Sequence, residues 1–134
     1  MLNDPIVIVG AARTPMGGFQ GDFASLAASD LGAAAIKAAV ERSGVVPADV
    51  EKVIFGCVLP AGLGQAPARQ AAVGAGIAMS VPATTVNKMC GSGMKAVMLA
   101  ADQIRAGSAR TILAGGLESM TNARSAGSAA SAAS

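Results

Sequence analysis

The side chain best suited to chemistry in this sequence is Cys90, which stands in the stretch VNKMCGSGMKAV between Val86 and Val97. It is one of only two cysteines, is followed at once by Gly91-Ser92-Gly93, and precedes a run of helical periodicity. A thiol at a helix N-terminus meets unpaired backbone N–H groups and the positive end of the helix dipole. Both favour thiolate over thiol, and the thiolate is the nucleophile. The flanking glycines let a substrate approach the backbone closely, and the Cys90 N–H is a candidate donor to a developing oxyanion. The ordinary alternative is a buried, inert thiol, since free cysteine is among the most buried residue types. Cys57, inside the apolar run VIFGCVL, fits that alternative and is assigned a structural role.

The absences limit this chemistry further. There is no histidine, tyrosine or tryptophan, so no imidazole is available as a base, and two cysteines alone build no zinc site; no metal and no cofactor are expected. The net charge is +2, from ten basic and eight acidic residues. No basic run or basic–aromatic interleaving stands out, which argues against a nucleic-acid partner. No apolar stretch nears the roughly 20 residues of a membrane helix. The opening MLNDPIVIVG carries Asp4 and no basic residue before its apolar run, so it does not read as a secretory signal. Two thiols without a disulfide framework suit a reducing, cytoplasmic compartment. With 52% hydrophobic and 13% charged residues, the chain is too apolar to be disordered, and some apolar surface is expected to be covered by other protein.

The elements that must position Cys90 can be read from the pattern. Ile6-Val7-Ile8-Val9 predicts a buried strand. A Gly-rich loop, RTPMGGFQGDF, comes next, without the GK[ST] of a phosphate-binding loop. Ser29 or Asp30 is placed to cap a helix through LGAAAIKAAVERSG, with Leu31, Ala35, Ala38 and Ala39 on its apolar face and Gly44 as its stop. VIFGCVL, within Val50 to Leu59, predicts a second buried strand. A helix from Pro67 through ARQAAVGAGIA and a strand at ATTVNKM come after it. The clearest helix runs from Gly93 through MKAVMLAADQIRAG; Met94, Val97, Met98, Ala101 and Ile104 recur at helical spacing and are assigned to the core. Thr111 to Ala114 predicts a fourth strand. Strands alternating with helices imply βαβ units and a mostly parallel sheet covered by helices. Cys90 then lies at the carboxyl end of that sheet, where open α/β sheets bind ligands. Residues 124–134, ending in SAGSAASAAS, are low-complexity and read as a tail or linker.

Taken together, VNKMCGSGMKAV, the opening IVIVGAARTPMGGFQGDF, VIFGCVLPAGLGQAPARQAA and TILAGGLESMTNA resemble, in order, segments of the thiolases, the acyl-CoA C-acyltransferases. The likeness covers roughly residues 4 to 123 and looks nearest to the short-chain, biosynthetic acetoacetyl-CoA thiolases of bacteria. It implies a βαβαβαββ thiolase-like half spanning residues 1–123, incomplete relative to the family. It also implies that Cys90 takes an acyl group from acetyl-CoA as a thioester, which a second acetyl-CoA attacks to give acetoacetyl-CoA, or the reverse thiolysis. Coenzyme A thioesters enter as substrates. The implied partner is a second copy, in a dimer or tetramer, or a complementing C-terminal half.

The likeness ends at Arg124. The family's activating histidine, second cysteine, oxyanion-hole asparagine and loop domain belong to parts that match nothing here, so the chain alone is expected to be inactive in the full reaction. A non-catalytic, self-associating fragment or engineered module is the alternative, and a ketoacyl-synthase-type condensing enzyme a weaker one. Asn87 and Lys88 are candidates for a dimer interface or an ordinary strand end. Gln65, Arg69 and Gln70 are candidates for the site or a solvated helix face. Glu118, Ser119 and Met120 are candidates for the site or for capping and packing.

Overall fold

The computed structural model describes residues 4–123. Its centre is β1 (Lys52–Gly56), whose apolar Val53-Ile54-Phe55 is paired on both sides. β2 (Ala83–Val86) lies on one edge, in register Val53 to Ala83 and Gly56 to Val86. β3 (Ile112–Gly116) lies on the other, in register Lys52 to Ile112 and Gly56 to Gly116. Both pairings are parallel, so connecting helices must return the chain across the sheet. These are α2 (Pro67–Gly74), between β1 and β2, and α3 (Ser92–Arg105), between β2 and β3. α1 (Ala28–Ser43) precedes them.

Alternation along β1 decides the layers. Val53, Phe55 and Cys57 pack with Ile36 and Val40 of α1, and with Ala68, Ala71 and Ala72 of α2. Ile54 points the other way, to Ala96 and Ala100 of α3. The protein is therefore α/β: a parallel sheet with α1 and α2 on one face and α3 on the other. α1 begins where the Asp30 carboxylate accepts the Ala27 N–H at 3.0 Å. Asp30 caps from inside the first turn, and Ser29 is helical. The helix stops at Gly44, whose φ of 71° is left-handed.

Two expectations are corrected. Ile6–Val9 forms no strand. Val7, Ile8 and Val9 are exposed, and the adjoining Gly10 and Ala11 lie against α1, where Arg42 donates to the Ala11 carbonyl at 3.3 Å. A β-branched run states what fits a pleated surface, but pairing also depends on where the fold places the run. β2 and β3 each keep an open outer edge, yet the chain just after the run is held against α1, and no described strand pairs with the run. The second correction concerns α3. Met94, Val97 and Met98 are exposed, and the buried face is Ser92, Ala96 and Ala100. Helical periodicity identifies apolar faces without saying which one meets the sheet. Here the small-residue face does, because it can approach the Gly-rich strand ends. The predicted Ser/Ala tail at 124–134 lies outside the described residues.

Candidate active site

Three parallel strands end together, and the segments leaving their carboxyl ends converge on one open cleft. Gly56 and Val58 come from β1, Gly116 and Glu118 from β3, and Met89 and Cys90 from the turn that leaves β2 for α3. Leu117, with Ser92 and Gly93, the first residues of α3, completes the lining, and the cleft measures about 290 Å³. Cys90 is exposed and Cys57 is buried, and both are free thiols. The structure thus separates the two cysteines as their neighbours in sequence suggest.

The turn carrying Cys90 is tied from several sides. Gly91 N–H donates to the Lys88 carbonyl at 3.0 Å, and Lys95 N–H to the Gly91 carbonyl at 2.8 Å. The Asn87 carboxamide oxygen accepts Met89 N–H at 2.9 Å, while its NH2 donates to the Val58 carbonyl at 3.4 Å. The Ser92 hydroxyl accepts Lys88 N–H at 2.8 Å and donates to the Met89 carbonyl at 2.6 Å. Met89 has a φ of 47°, a left-handed value that an unbranched non-glycine side chain adopts at a cost. Beneath the turn, Gly56 lets β1 touch the start of α3: a Cβ there would lie 2.6 Å from the Ser92 carbonyl carbon.

Glu118 forms the opposite rim. Its carboxylate accepts Val58 N–H and Leu59 N–H, each at 2.9 Å, and the Cys57 thiol at 3.7 Å. One carboxylate thereby joins the chain leaving β1 to the chain leaving β3. Burial, and then the nearby Glu118 charge, push the Cys57 thiol from 9.0 up to about 11. Both act against the thiolate, so Cys57 stays protonated and inert at neutral pH.

That shift has a sign. The unfolded thiol ionises first as pH rises, so the stability contributed by the protonated buried thiol is whole below pH 9.0 and is lost towards pH 11. The loss is about 3 kcal/mol. Urea melts of the wild type should fall faster than those of Cys57→Ala across this window, and equal slopes would refute the assignment.

The other candidates separate cleanly. Asn87 braces the nucleophile turn, and Lys88 is exposed. Gln70 donates to the Leu63 and Gln65 carbonyls at 2.7 and 2.6 Å, and Arg69 to the Met79 carbonyl at 2.8 Å. Gln65, Arg69 and Gln70 therefore secure the loop around α2 and do not line the cleft. Glu118 lines it, while Ser119 and Met120 do not. Sequence reasoning gave Ser92 no role; the only signal was a hydroxyl two positions after a cysteine at the start of a helix. Among the described residues there is no group of three His, Cys, Asp or Glu side chains able to hold a metal. No described helix is long and apolar enough to cross a membrane.

Comparison with known proteins identifies the family. The family profile described as "Thiolase, N-terminal domain" matches residues 6–134. The chain is 62% identical over 117 residues to acetyl-CoA acetyltransferase 2 of Arabidopsis thaliana, covering 87% of this chain and 29% of that protein. It is 58% identical over 118 residues to the acetyl-CoA acetyltransferase of Cupriavidus necator, covering 88% and 30%. Against the acetyl-CoA acetyltransferase of Schizosaccharomyces pombe it is 55% identical over 123 residues, covering 92% and 31%. The chain thus spans about 30% of the length of these curated relatives.

Proposed function

Since the chain belongs to the thiolase family, matching its N-terminal domain over residues 6–134, we propose that it is the nucleophile-bearing part of an acetyl-CoA C-acetyltransferase. The observation that carries this reading is an exposed Cys90 in a cleft at the start of α3. In the first step the Cys90 sulfur attacks the acetyl-CoA carbonyl. A carbon–sulfur bond forms to Cys90, the bond to coenzyme A breaks, and the coenzyme leaves as its thiol with the proton. In the second step a base removes a methyl proton from another acetyl-CoA. The resulting carbanion attacks the acetyl-Cys90 thioester, a carbon–carbon bond forms, and Cys90 departs to leave acetoacetyl-CoA. Thiolysis is the reverse. Splitting the transfer through a covalent acyl-enzyme is the usual gain of nucleophilic catalysis.

The second step needs a positioned base. The chain has no histidine, and its only other thiol is buried and held protonated. We therefore place the base in another chain or segment, and the isolated chain acetylates without condensing. The partner we propose is a second copy or a complementing C-terminal half. Exposed Val7, Ile8, Met94 and Met98 support such a partner, since this much apolar side chain lies uncovered on one small unit. A cytoplasmic setting rests on the two free thiols.

Intact mass spectrometry after incubation with acetyl-CoA tests the reading. The expected result is one acetyl adduct on the wild-type chain, none on Cys90→Ala, and no acetoacetyl-CoA from either. An adduct that survives Cys90→Ala removes the nucleophile assignment. Condensation by the isolated chain removes the claim that its base lies elsewhere.

A further inference from the structure

We propose that Ser92 is a positioning residue for Cys90: its hydroxyl holds Met89 in the left-handed conformation that presents the thiol to the cleft. This rests on the reading of Cys90 as the acyl-accepting nucleophile.

Ser92 is the one buried polar or charged residue among those described, at 4% exposure. Burying a hydroxyl is unfavourable unless its bonds are made, and where they are made shows what it does. It does not cap α3, whose N-cap is Gly91. Both its bonds reach back over Cys90, to Lys88 N–H at 2.8 Å and to the Met89 carbonyl at 2.6 Å. They therefore clamp the two residues that precede the cysteine; the Met89 carbonyl also accepts the Ser92 N–H at 3.1 Å, and the hydroxyl adds the shorter bond and the tie to Lys88. Met89 is one of three non-glycine residues with positive φ among those described, and it directly adjoins Cys90. Such a conformation persists only where its surroundings hold it. A residue that relaxed to the extended region would turn the adjoining Cys90 out of line with the cleft and with the first N–H groups of α3. Ser92 is in turn immobilised from below, since the Cα of Gly56 leaves no room for even a methyl group between β1 and Ser92. The chain of support thus runs from the sheet to Ser92, from Ser92 to Met89, and from Met89 to Cys90. Among the described residues no hydrogen bond joins the Ser92 hydroxyl to the Cys90 sulfur, so Ser92 acts through the backbone and not on the reacting atoms.

The test compares wild type, Ser92→Ala and the double variant Met89→Gly/Ser92→Ala in the full chain. The rate of Cys90 acetylation by acetyl-CoA is read by mass, with alkylation by iodoacetamide alongside. Ser92→Ala should slow acetylation by about tenfold or more, the scale expected when a reacting group is misplaced by a fraction of an ångström to an ångström. Glycine adopts the left-handed region without help, so Met89→Gly should restore most of the lost rate in the Ser92→Ala background. Loss of general packing would not be repaired by a second cavity-forming change, so a double variant as slow as Ser92→Ala overturns the proposal. So does a Ser92→Ala chain that acetylates at the wild-type rate. Should Ser92→Ala fail to fold, the double variant decides alone: recovery of fold and acetylation supports the proposal, and no recovery overturns it. If the wild-type chain takes no acetyl group, the acyl-transfer reading falls. The alkylation arm then judges Ser92: a rate altered by about threefold or more in Ser92→Ala and restored in the double variant supports it, and an unaltered or unrestored rate overturns it.

Discussion

Gly56→Ala should cost about 3 kcal/mol of stability and remove most of the reactivity of Cys90 towards acetyl-CoA, although it adds a single methyl group. That methyl would sit 2.6 Å from the carbonyl carbon and Cβ of Ser92 and 2.8 Å from the backbone nitrogen of Gly93. None of these atoms is the end of a flexible side chain, so no rotamer change relieves the overlap. β1 cannot retreat either. Gly56 is paired with Val86 and Gly116 on its two sides, and its carbonyl accepts Leu117 N–H at 3.0 Å. The start of α3 must therefore move, taking with it the turn that carries Cys90. Urea denaturation gives the first number and acetylation followed by mass spectrometry the second. A Gly56→Ala chain with wild-type values in both would mean that the strand and the nucleophile helix are not in contact as described.

Glu118→Ala should destabilise the chain by about 2–3 kcal/mol, because it removes one ionised acceptor from three donors. Val58 and Leu59 N–H each lose a 2.9 Å bond, and the Cys57 thiol loses its only acceptor among the described residues. These donors lie just past the end of β1, so the rim of the cleft loosens with them. Glu118→Gln keeps the size but turns an NH2 group towards donors and should fall between alanine and wild type. Burial, the larger cause of the raised Cys57 pKa, remains after the substitution. The loss of stability above pH 9.0 should therefore shrink in Glu118→Ala without vanishing. Denaturation melts of both variants at neutral and alkaline pH check each part. A neutral effect of Glu118→Ala near neutral pH would show that the carboxylate is solvated and not bridging two strand ends.

Much of the architecture was legible residue by residue. Val53-Ile54-Phe55 reads as a buried strand because it is apolar on both faces, and only a central parallel strand needs that. Gly44 and Gly107 mark helix ends, and both take left-handed φ values, 71° and 76°. Cys90 stood out because a cysteine among glycines before a helical run is an unusual local arrangement. Ile6–Val9 misled because propensity is local and pairing is not. The methionines of α3 misled because the helix is apolar on more than one face.

Local pattern alone was enough to pick out the three strands and three helices that form, though it added a strand at Ile6–Val9 that does not, and to say that the sheet is parallel and which thiol lies at a strand-to-helix turn. Periodicity, turn residues and connection lengths carry that information, and all of them act over a few neighbouring positions. Three features emerge only once the chain is folded. Glu118 holds the rim from 60 positions beyond Val58, Ser92 braces Met89, and Gly56 seats the nucleophile helix. Each depends on which surfaces meet across the sheet. Contact between distant segments is set by packing of the whole chain, for which no short stretch of residues carries a signal.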